Sequence, residues 1–233
     1  TTFVLSGTAT ATADNTGVAQ MVLTDAAKPK GNIYMVAQNR LFIAGIILTP
    51  QIIFFSKYGD ATDFSASTLV SNSTAANCGA FNLGEGGGAV IGMCMDENSL
   101  YFFKRAIIYK ATLSDSVYSL QSLKTFDGKS QTIGATTQRS IFAGGNAVFF
   151  ITPDNQIMSL QRVETIDYPQ VVPISDMIRS TVDSMSFSLA SGIVYKDRAY
   201  FAVKSSSDAS INDTVLVWNI VDKTWDTPIL GWN

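Results

Sequence analysis

Two pairs of carboxylates lie close together in the sequence, Asp60 with Asp63 and Asp222 with Asp226. Such pairs can hydrolyse glycosides, one carboxyl protonating the leaving oxygen while the other attacks or activates water. Both pairs sit among turn residues, in YGDATDF and VDKTWD, where an aspartate ordinarily bonds its own backbone. A catalytic reading needs all four to converge. The chain has no histidine, which removes the commonest general base, the commonest metal ligand and any Ser/His or Cys/His nucleophile pair. Cys78 and Cys94 are too few for a disulfide scaffold and read as buried thiols. The Asp- and Asn-rich turns lack the fixed oxygen offsets of a calcium loop. The glycine run Gly84, Gly86, Gly87 and Gly88 is not followed by the Lys-Ser or Lys-Thr of a phosphate loop. It reads as a mobile loop. No catalytic, cofactor or metal site is therefore expected.

Binding chemistry is sparse as well. Lys57, Tyr58, Lys104, Arg105, Tyr109 and Lys110 mix basic and aromatic side chains, as single-strand binders do. The net charge, however, is −3 and no run of five basic residues occurs. A surface that grips nucleic acid needs concentrated positive charge to release counterions. Trp218, Trp225 and Tyr58 offer a second option, aromatic platforms of a lectin-like module that recognises host glycans.

The elements that must position these residues are short strands. In 39–64, NRLFIAGIILTPQIIFFSKYGDATDF, apolar runs at Leu41–Ala44 and Ile52–Phe55 are separated by turn residues. That is the pattern of antiparallel strands. Its opening recurs. Aligned on Asn39, Asn98, Asn146 and Asp197, the copies read NRLFIA, NSLYFF, NAVFFI and DRAYFA. A period of about 50 residues with several strands per unit is the signature of a β-propeller blade. The sequence thus predicts an all-β fold, a β-propeller or propeller fragment of four-stranded antiparallel blades. The repeat units fall near 32–64, 89–126, 133–162 and 187–227, within a blade region 31–233.

Residues 1–30 are small and polar and read as an N-terminal arm or hairpin. Asp14 and Gly17 mark its turn. SDMIRSTVDSMS carries the one helical pattern, with Ser175 as N-cap and Met177, Ile178, Thr181, Val182 and Met185 at helical spacing. No apolar stretch reaches the roughly 18 residues of a membrane helix. Trp225-Asp226 matches the WD dipeptide, but WD blades pair it with Gly-His, and there is no histidine.

The order of segments resembles a known group. RLFIAG…IIFFSKYGDATDF, SLYFFKRAIIYKAT, GATTQRSIFAGGNAVFFITPDNQIMSL, ISDMIRS and VLVWNIVDKTW resemble, in that order, segments of propeller-type virion proteins of tailed bacteriophages. These are the tail hub or nozzle proteins and the related packaged-DNA stabilisation proteins. The resemblance spans about 31–233. It implies a structural, non-enzymatic protein of the virion tail, assembled in the host cytoplasm. Such proteins form a homo-oligomeric ring, commonly sixfold, against portal, adaptor or other tail proteins. DNA passes through the ring without sequence-specific binding. Family chains are longer, with further blades upstream, so the resemblance also implies a fragment or half of a split protein. The loops at Gly84–Gly88 and Thr8–Gly17 are candidates for a gate or docking arm.

Overall fold

The computed structural model describes residues 29–64, 78–84, 86–97, 99–114, 117–123, 133–163 and 166–230. Asp14, Gly17 and nearly all of the expected N-terminal arm lie outside them.

The described residues form four antiparallel sheets in chain order. The first holds β1 (Ile33–Ala37), β2 (Arg40–Ala44), β3 (Ile52–Phe55) and β4 (Gly79–Asn82). The second holds β5 (Val90–Asp96), β6 (Ser99–Lys104), β7 (Ile108–Ser114) and β8 (Val117–Ser122). The third holds β9 (Phe142–Gly144), β10 (Ala147–Ile151), β11 (Ile157–Val163) and β12 (Ile166–Pro173). The fourth holds β13 (Ser186–Tyr195), β14 (Arg198–Lys204), β15 (Thr214–Asn219), β16 (Thr224–Trp225) and β17 (Ile229–Leu230). In each sheet every strand pairs with the next in sequence, except that β17 returns to pair with β15. The chain divides into two compact units, Thr1–Val90 with Ala111–Leu120 and Ile91–Lys110 with Gln121–Asn233.

The four repeated openings occupy one structural place. Each lies at the hairpin that joins the first strand of a sheet to the second. Ala37 pairs with Arg40, Gly144 with Ala147 and Tyr195 with Arg198, leaving two-residue turns. Gln38 and Asn39 both have positive φ, as do Gly145 and Asn146. That is the type I′ geometry whose twist matches flanking strands, and it favours Asn and Gly. The first turn is thus Gln38-Asn39, and Arg40 already belongs to β2 rather than to the turn. The expected first unit, 32–64, omits β4.

The helical pattern forms a 3-10 turn, Ser175–Ile178, followed by one α turn, α1 (Arg179–Val182). Ser175 is its first residue rather than its N-cap. Its hydroxyl instead accepts the backbone N–H of Ile157 at 3.1 Å, so it ties the helical turn to β11.

Side chains alternate across each strand, so counting from the first hairpin's turn sorts each sheet's first two strands into two faces. The forward face holds the residues that flank the two-residue turn directly and every second position from there. The backward face holds the others. In the second unit the stacking rule is visible twice. The forward face of the second sheet (Cys94, Tyr101, Phe103) packs on the backward face of the third (Val148, Phe150, Met158, Leu160). The forward face of the third (Ala147, Phe149, Ile151, Ile157) packs on the backward face of the fourth (Ala199, Phe201, Leu216, Trp218). Burying each such aromatic contributes on the order of 1.5–3 kcal/mol. In the first unit, Phe55 lies 5.0 Å from Phe81 and 5.4 Å from Tyr118, ring centre to ring centre.

Candidate interaction surface

The fourth sheet has a filled face and an open one. On the filled face, β9 and β13 approach so closely that glycine is required twice. A Cβ on Gly192 would lie 1.9 Å from a ring carbon of Phe142, and one on Gly144 would lie 2.7 Å from Val194. Phe142 in turn meets Phe201, with centroids 5.1 Å apart. Trp225 closes this face 5.1 Å from Trp218, and its indole N–H donates to the carbonyl of Ile174 at 2.8 Å.

The open face carries Ile193, Tyr195, Tyr200, Ala202 and Val215. Ile193 is 63% exposed and Tyr195 62%. Cross-strand pairs Ser191–Ala202, Ala202–Val215 and Val215–Ile229 make a row of small and medium side chains. Beside it stand Ile193 and Tyr200, themselves a pair. Together they line an apolar hollow of about 470 Å³. Ile193, Tyr200 and Ile229 rim this row of small residues. Contiguous exposed apolar area of this kind marks interaction sites.

The first sheet also has an open part. Tyr34, Val36, Leu41, Ile43, Phe54 and Ala80 share its backward face by register. Phe64 packs on Ile43, Phe54 and Ala80. Tyr34 and Val36, on β1, remain 57% and 79% exposed. The Tyr34 hydroxyl donates to the Gly31 carbonyl, which helps hold the ring on this face.

The remaining candidates are committed locally. Asp60 accepts from the backbone and side chain of Thr62, bonds that hold its carboxyl below the usual aspartate range. Asp63 faces Lys57 at 3.8 Å. Asp222 accepts from the Asn219 amide, and Asp226 receives Nε of Arg198 at 2.8 Å. Trp218 is buried and Trp225 packs against it, so neither is a platform for a sugar, although Tyr58 is exposed. Lys104, grouped above with the basic residues, is buried, and burial lowers its pKa. Cys78 and Cys94 are buried free thiols, as expected, and desolvation pushes Cys94 well above the ordinary thiol range.

Gly84, Gly87 and Gly88 have positive φ, and a Cβ at Gly84 or Gly88 would meet nothing. Gly84, Gly86 and Gly88 are exposed, on the connection from β4 to β5. Gly84 N–H donates to Asn82 Oδ1 at 2.9 Å. The described glycines of the run therefore lie at or near the surface.

Sequence reading missed the buried Arg40. Its Nη1 donates to the Ser56 carbonyl at 2.6 Å, and its guanidinium lies 5.1 Å from the centre of Phe55 and 5.9 Å from that of Tyr118. Tyr118 in turn donates to Gln38 Oε1 at 2.9 Å. Burial lowers the Arg40 pKa and raises that of Tyr118. The cation lies among rings and carbonyl oxygen, which fixes the start of β2 against β3. Nothing in the local sequence marks an arginine after Gln-Asn as a core residue.

No protein-family model and no curated protein matches the chain. Two solved structures of AztD from Citrobacter koseri resemble it with TM-scores of 0.51 and 0.50, at 7% and 8% identity. They cover 92% and 98% of this chain and 62% and 74% of their own. The WD40 domain of Pan2 from Neurospora crassa covers 88% of this chain with a TM-score of 0.48 and 11% identity, and the chain spans about half of it, 51%. Four-stranded meanders with a common hairpin at each start, stacked face to face within the second unit, are blades. The fold is of the β-propeller type. At these identities the likenesses bear on the fold alone.

Proposed function

We propose that this chain is a structural blade module of a bacteriophage tail, in a hub, nozzle or head-to-tail connector. In this reading it forms part of the channel through which the genome leaves and helps retain packaged DNA. The sequence support is the collinear run of segments across 31–233. The structural observation that carries the reading is the open apolar face of the fourth sheet. A blade face of Ile193, Tyr195, Tyr200 and Val215 suits a part that functions only when assembled. The work is mechanical. Stacked sheets resist deformation because close-packed interiors transmit strain, and a net charge of −3 lets a polyanion slide without being held.

Purified particles made with and without the gene test the reading. The expected result is that antibody against the chain labels tails of complete particles, and that particles lacking the chain lose their DNA. Infectious, DNA-filled particles without the chain would overturn it.

A further inference from the structure

We draw no further inference here: the strongest candidate, the exposed apolar patch of Ile47 and Leu48 at the tip of the loop between β2 and β3, carries nothing because nothing in the structure shows what covers it.

Discussion

The two faces of the fourth sheet are built from the same strands, β13 to β15, yet they differ in what they contain. The filled face carries Phe201, Leu216, Trp218 and Ala199 under Phe142 and Phe149. The open face carries Ile193, Tyr195, Tyr200, Ala202 and Val215. Both alternate apolar residues along the strand, so period alone does not tell a buried blade face from an exposed one. The difference lies in glycine. On the filled face Gly192 clears the space that Phe142 takes, whereas the open face projects isoleucine and tyrosine at the equivalent strand positions. One face has been shaped to a partner in the same chain, and the other presents side chains outward.

The contrast is broken most severely on the filled face. Phe201→Ala removes a buried ring that meets Phe142, Phe149 and Trp225. It should cost about 3–5 kcal/mol, measured by urea denaturation. Gly192→Val should cost about 1–3 kcal/mol, because the new side chain displaces the Phe142 ring. Combined with Phe142→Ala, which empties that space, Gly192→Val should cost less than the sum of the two single changes. Trp225→Phe keeps a ring beside Trp218 but leaves the Ile174 carbonyl without its indole donor. A loss of about 1–2 kcal/mol is expected. Ile193→Ser, on the open face, should change the stability of a dilute, unassociated chain by less than about 0.5 kcal/mol. A loss there as large as that of Gly192→Val would mean that the two faces are equally packed, and the comparison would fail.

The parts of the fold legible in sequence were those where local chemistry and packing agree. The copies NRLFIA, NSLYFF, NAVFFI and DRAYFA each place a turn residue before a buried apolar run, and each begins the second strand of a sheet. The fourth strands were not legible. In β8, VYSLQS, half of the residues are serine or glutamine and no apolar run stands out, and β12, IDYPQVVP, contains Pro169 within its span. Proline is tolerated there because β12 is an edge strand and its register with β11 shifts beside Pro169. The candidate surface was half legible. Tyr34, Val36, Ile193 and Tyr195 read as ordinary strand residues, and only the register separates them from their buried neighbours. Aromatic content misled in the opposite direction. Trp218 and Trp225 invited a sugar platform, yet they close the core of the fourth sheet. The acidic pairs read correctly as turn aspartates: Asp60 accepts from Thr62 and Asp222 from Asn219.

The meander order of the strands also sets a timetable. Because strands within a sheet pair with their neighbours in sequence, β17 excepted, a sheet forms from one continuous stretch of chain. Short loops close cheaply, and proteins rich in local pairing fold faster than those that await distant strands. A chain emerging from the ribosome can therefore complete its sheets one after another, in the order in which they are synthesised. The fourth sheet is finished last, so its open face appears only once the preceding sheets are in place. A partner docking on that face would then meet only chains whose earlier sheets have formed.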